Sequence, residues 1–233
     1  MNARILLVIS LIFIFAFLSG GIGYITLGGP DLASAVSDGS AEVIQKGSAG
    51  DVPNTVEIRN TGNKPLRVDT GTLLASNTSG DLVIATGTHV SPGSAEDVPA
   101  YSVEPEERTA PGVKLKPAGK APALMVDVLS SSNPADPAEA FNTQLRLWVL
   151  ARGDELNIYR GEVYAMVKKR DMRFYQLREN ITAVRSELMD EYGLTEEQLS
   201  ELNITSPVLN QTESPFKLFS VLDALKNQIG AIR

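Results

Sequence analysis

Residues 54–69 read Asn-Thr-Val-Glu-Ile-Arg-Asn-Thr-Gly-Asn-Lys-Pro-Leu-Arg-Val-Asp. Val56 and Ile58 alternate with polar neighbours, residues 60–63 (Asn-Thr-Gly-Asn) carry turn chemistry, and Leu66 and Val68 resume the alternation. A period of two on both sides of a turn predicts two half-buried strands. Further short apolar stretches follow at residues 73–74, 82–85, 101–103, 113–116 and 123–129, with residues 123–129 reading as a central strand. Short strands between regular turn signals predict an antiparallel β-sandwich, one face buried and the other wet.

Proline and glycine mark where this pattern stops. Ten of the 13 prolines lie between Pro53 and Pro137, and 15 of the 19 glycines precede residue 138. Both residues punctuate turns and interrupt helices, so the architecture is expected to change near residue 137. Residues 143–150 fit either element. Leu145, Leu147 and Val149 alternate as in a strand, whereas Phe141, Leu145, Trp148 and Arg152 share a helical face. A strand that completes the sheet is the reading adopted.

The second half carries helical spacing. Val163, Val167, Phe174, Leu177, Ile181, Val184 and Leu188 fall in alternating steps of four and three, interrupted only by Arg170. This predicts one long amphipathic helix that ends at Gly193. Thr195–Gln198 is a capping-box pattern, and Ser214-Pro215 opens a last helix with Leu218, Leu222, Leu225 and Ile229 on one stripe. The C-terminal part is therefore expected to be a helical hairpin or small helical unit.

At the other end, residues 5–27, from Ile5 through Leu27, are almost wholly apolar behind Arg4. A helix of that length would reach about 34 Å, enough to span a bilayer. The segment reads as a signal-anchor with its amino end in the cytoplasm, or as a signal peptide cut near the glycine cluster or after Ala35. Either way the remainder is exported. The expected plan is thus α+β: an N-terminal transmembrane or signal helix (1–27), a linker (28–40), a β-sandwich (41–152) and a helical C-terminal unit (153–233). Four N-x-[ST] sequons, at Asn77, Asn180, Asn203 and Asn210, suit glycosylation on an extracytoplasmic surface. Export without cysteine fits a prokaryotic, archaeal or bacterial, envelope protein.

The stretch Val56-Glu-Ile-Arg-Asn-Thr-Gly-Asn-Lys-Pro-Leu-Arg-Val68 resembles the strand–turn–strand signature of immunoglobulin-like β-sandwich modules in archaeal and bacterial cell-surface proteins. Fibre subunits of the TasA/camelysin type carry a similar stretch. The resemblance implies an extracellular sandwich used for spacing, docking or assembly, with no catalytic residues. Gln144-Leu-Arg-Leu-Trp148 is similar to the glutamine segment of surface thioester adhesion domains. There the glutamine joins a cysteine; this chain has none, so only a degenerate, cysteine-less scaffold could be shared.

Composition excludes much chemistry. Without cysteine there is no thiol nucleophile, disulfide or Cys-based zinc site, and the lone His89 in a turn region makes neither a metal cage nor a base of choice. No phosphate-binding loop, G-x-S-x-G, H-E-x-x-H or EF-hand pattern is present. Ser214 of the S-x-x-K match reads as a helix cap, and the Arg-Gly-Asp of residues 152–154 as a turn. The net charge of −7 disfavours nucleic acid, no small-molecule substrate is evident, and no cofactor or metal is expected. Yet residues 146–185 hold nine Lys/Arg against five Asp/Glu.

Lys168, Lys169 and Arg170 form a basic run, with Phe174, Leu177, Ile181 and Leu222 as apolar contact candidates for a protein partner or self-association. The function expected is non-catalytic: an exported, membrane-tethered structural or interaction protein of the cell envelope that docks through its C-terminal helices. A fibre or pilus subunit assembling by strand exchange is the alternative, a dispersed-carboxylate enzyme the third class.

Overall fold

The computed structural model describes residues 29–201. The apolar stretch from Ile5 to Leu27, the last helical stripe with Leu222, and the sequons at Asn203 and Asn210 lie outside the described residues. Among the described residues no helix is long and apolar enough to cross a membrane.

Strand β2 (Asn54–Asn60) forms where the alternation predicts it, with Val56 and Ile58 buried and Arg59 exposed. The turn after it does not make a hairpin. β2 pairs antiparallel with β1 (Ala41–Gln45) and β7 (Ala95–Ser102), whereas β3 (Leu66–Val68) pairs with β6 (Thr88–Val90). Buried Asn60 steers the chain from one sheet to the other. Its amide donates to the carbonyls of Lys64 at 2.8 Å and Val90 at 2.9 Å, and its oxygen accepts the Gly62 N–H.

The expected immunoglobulin-like sandwich is not what forms. Together with β4 (Thr72–Ala75), β5 (Leu82–Ile84) and β8 (Lys114–Lys120), the strands close into a six-stranded antiparallel barrel in the order β1-β2-β7-β5-β4-β8. Closure falls to β8, which bends across two neighbours. Leu115 faces Val43 of β1, while Pro117 and Gly119 face Leu74 and Leu73 of β4 across a register shift. Gly119, at φ +125°, adopts a conformation that residues with a Cβ rarely take, which lets the strand turn the corner. A sandwich would leave sheet edges open; the ring pairs them.

The interior is filled by Val43, Val56, Ile58, Leu74, Leu82, Ile84 and their neighbours, so this barrel encloses a packed core. One end is closed by β3 and β6 and by helix α1 (Leu32–Ser37), which lies within the segment read as a linker. Asp31 caps that helix by accepting the Ser34 N–H at 2.8 Å, and Leu32 and Ala35 reach the barrel core. A cut after Ala35 would remove both from the core.

β4, β5 and the second half of β7 are buried on both faces. Leu73, Val83, Ala85, Tyr101 and Val103 point away from the barrel interior into a second core, formed with helices α2 (Ala123–Ser130), α3 (Pro137–Arg152), α4 (Gly161–Lys169), α5 (Phe174–Tyr192) and α6 (Glu196–Glu201). Two strand expectations fail in this layer. Residues 123–129 are α2, with Met125, Val128 and Leu129 buried at helical spacing. Residues 143–150 lie inside α3, opened by Pro137 and by Asp136, whose carboxylate accepts from the N–H groups of Ala138 and Glu139. α3 is covered by the barrel on one side and α5 on another, so apolar residues run nearly round it and its period is masked.

The single long helix expected from residue 163 is also corrected. The chain breaks between α4 and α5, at the one position where the apolar run fails. Arg170 cannot enter the core, Asp171 takes a positive φ of 49°, and the Arg170 guanidinium lies 4.7 Å from the Phe141 ring centroid. The break lets Val163, Met166 and Val167 pack in one direction and Leu177, Val184 and Leu188 in another. α5 lies against α3; the last helix of the expected hairpin lies outside the described residues.

Gln144 has a structural role that needs no thioester. Its side chain is fully buried, donates to the Ser102 carbonyl at 2.7 Å and accepts the Ser102 N–H at 3.1 Å, as a further strand residue would. Gln144→Leu should destabilise the protein by about 2–3 kcal/mol, because both backbone groups lose their partner; urea unfolding of the full chain in mild detergent measures it.

Candidate docking face

The helical layer is fastened to the barrel by a carboxylate. Glu162, in the first turn of α4, is 1% exposed and has no cationic partner among the described residues. It accepts the Gly50 N–H at 2.7 Å, the Thr109 N–H at 3.1 Å and the Thr109 hydroxyl at 3.1 Å, while Asn54 donates to that hydroxyl oxygen. Burial pushes its pKa above the ordinary carboxyl value, against the pull of these donors. Gly50 is needed at the crossing, since a Cβ there would meet the Ala165 backbone at 2.6 Å. Lys169 adds a bond to Ser48 and an ion pair to Asp51, so this member of the basic run serves the same attachment.

Held this way, α4 and α5 form an elbow whose outer side carries a row of rings. Tyr164, Phe174 and Tyr159 succeed one another with centroids 6.0 Å and 4.9 Å apart. Lys168 lies 5.5 Å from the Tyr164 ring at one end, and Arg178 donates to the Tyr159 hydroxyl at 2.8 Å at the other. Tyr159 and Tyr175 are 58% and 59% exposed, the large apolar side chains most open to solvent among the described residues. Sequence reasoning missed Tyr159 because it sits outside the helical stripe; its one signal was an aromatic amid loop residues.

The charge pattern sharpens the picture. On the barrel Lys46, Arg59, Arg67, Lys114 and Lys120 each pair with a carboxylate. Eight Lys/Arg of the described residues form no ion pair, and five of those eight are Arg160, Lys168, Arg170, Arg173 and Arg178. No protein family, curated protein or solved structure matches this chain.

Beside the row lies an open groove of about 440 Å³ between the segment from Gly153 to Tyr159 and α5. Its polar and charged lining is Asp154, Glu155, Asn157, Tyr159, Arg178 and Arg185, with Ile181 among the apolar residues. Arg185 is held by Asp154 and Glu196, which fixes the groove wall.

Of the residues singled out from sequence, Lys168 and Phe174 belong to the elbow and Ile181 to the groove, whereas Leu177 is fully buried beneath them and offers no surface. Arg170 is exposed on the turn. Asn77 is exposed in the β4–β5 connection, and Asn180 is half-buried on α5. His89 is exposed, but it lies on strand β6 opposite Arg67 and not in a turn.

Proposed function

We propose that this is an exported, membrane-tethered envelope protein without catalytic activity, and that it docks an anionic partner through the α4–α5 elbow. The observation that carries the reading is the concentration of unpaired cations, Arg160, Lys168, Arg170, Arg173 and Arg178, around exposed aromatic rings in a chain of net charge −7. Concentrating unpaired cations on one face, while most of those on the barrel are paired, suits recognition of opposite charge. The filled barrel supports a scaffold rather than a ligand container. The apolar stretch from Ile5 to Leu27 would hold the chain at the membrane.

The strand directions then set the geometry. The chain enters at the barrel end that carries Ser40 and residues 60–64, where Pro30 accepts the Arg67 N–H. α4 packs on Gly50 and Asp51 at the opposite end. A tether at the amino terminus would therefore present the elbow away from its own membrane.

The test is charge reversal in the full chain. Lys168→Glu with Arg178→Glu should abolish co-purification of the envelope partner, with melting temperature unchanged because both residues are solvent-facing. Partner capture that survives the double change would refute the elbow as the docking site. Asn77 is the described sequon most open to a glycan, so Asn77→Gln should raise electrophoretic mobility of the protein isolated from its host by one glycan step.

A further inference from the structure

We infer that the groove beside Tyr159 is a subsite for an acidic sugar, so that the anionic partner is a uronate-bearing polysaccharide. This inference rests on the docking reading above and adds its chemistry.

Three features converge on one spot. First, Tyr159 offers an exposed ring face, held in place by Phe174 behind it at 4.9 Å and by Arg178 on its hydroxyl. A rigid ring whose polar edge is already satisfied is a stacking platform for the apolar face of a pyranose. Second, Arg178 spends one N–H on Tyr159 and has no carboxylate partner among the described residues, so the rest of its guanidinium fork remains to receive a carboxylate. Third, the groove holds about 440 Å³, within the usual range of ligand sites, and adds side chains suited to hydroxyl groups: the Asn157 amide and the Asp154 carboxylate.

The same three features argue against a simple charge contact. A polyphosphate or a lipid headgroup needs cations but no aromatic face, and Lys168 with Arg173 would serve it without Tyr159. The remaining unpaired cations of the elbow would track further acidic units of a chain molecule, so one sugar sits in the groove while its neighbours lie along α4 and α5.

The probe is a defined oligogalacturonate, titrated calorimetrically into the full chain in mild detergent, beside a neutral oligomannoside, polyphosphate and vesicles of phosphatidylglycerol. The inference expects binding of the oligogalacturonate and none of the oligomannoside. Tyr159→Ala and Arg178→Gln should each weaken binding about tenfold or more, while Lys64→Gln, an unpaired cation at the other barrel end, leaves it unchanged. Both tested side chains are on the surface, and matching melting curves would exclude misfolding.

Equal binding of polyphosphate and oligogalacturonate, with no effect of Tyr159→Ala, would overturn the sugar subsite and leave anion docking in place. Capture by the vesicles alone would do the same and point to lipid. If none of the polyanions binds, the sugar subsite and the anionic docking reading fall together.

Discussion

Glu162→Ala is expected to cost about 3–5 kcal/mol of stability, because buried donors lose their acceptor together. The Gly50 N–H, the Thr109 N–H and the Thr109 hydroxyl all converge on this carboxylate, and alanine offers none of them a partner. Each buried group left unsatisfied costs about 1–3 kcal/mol, offset in part because the variant no longer buries a charge. Urea unfolding of the full chain in mild detergent measures the loss, and a change below about 1 kcal/mol would show that water replaces the carboxylate at no cost. Amide exchange should accelerate in α4 and in the loop around Gly50, since these are the elements the carboxylate joins.

A pH series isolates the charge itself. Burial raises the folded pKa of Glu162, so the folded state favours the protonated form. Its contribution is therefore most favourable below the unfolded carboxyl value and declines as pH rises through the raised folded value. The stability of the wild type relative to Glu162→Gln should accordingly fall from pH 4.5 toward neutrality, starting near the ordinary carboxyl pKa. A gap that widened with rising pH would contradict burial as the dominant influence.

Trp148→Ala should be comparably severe, at about 3–5 kcal/mol. Trp148 is fully buried in the core that joins the outward faces of β4, β5 and β7 to α2–α5. Truncation would open a cavity between barrel and helices that neither layer can fill, since the barrel wall is fixed by its hydrogen-bonded ring. Trp148→Phe should lose much less, because the indole N–H makes no hydrogen bond that a phenyl ring would forfeit. Near-equal losses for the two variants in the same unfolding experiment would indicate that ring volume is not what joins the layers. A cooperative single transition lost in Trp148→Ala, with the barrel outlasting the helices, would mark this residue as the coupling point.

Much of the strand placement was legible. The alternation at Val56 and Ile58, and at Leu66 and Val68, named inward residues correctly, because period two follows from strand geometry alone. Pairing was not legible. Nothing local says that Leu66 meets Val90 rather than the preceding strand, or that Leu115 meets Val43. The wrong assignments of residues 123–129 and 143–150 have separate causes. α3 is buried on more than one side, so the face-to-face contrast that marks a helix is absent from 143–150. α2 does keep an exposed face, at Ala123 and Asp127, but an apolar run of seven residues is too short for periodicity to separate a helix from a buried strand. The candidate site was half legible: the basic run and Phe174 stood out, but Tyr159 and Arg178 are 19 positions apart and meet only because the chain turns at Arg170.

Residue types and their spacing already limited the chemistry this protein can hold. They excluded thiol, disulfide and poly-histidine sites and placed an excess of basic over acidic residues in one segment of an acidic chain. They also supplied an apolar stretch long enough for a bilayer, properties that composition and spacing carry without any fold. Tertiary structure decided what those residues face. Closing a barrel requires β1 and β8 to find each other across some 70 positions, and that pairing is selected by the total burial of two cores rather than by any local preference. The same packing sent Leu177 inward and left the ring row at the surface, turning a uniform amphipathic stripe into an attachment on one side and a docking face on the other.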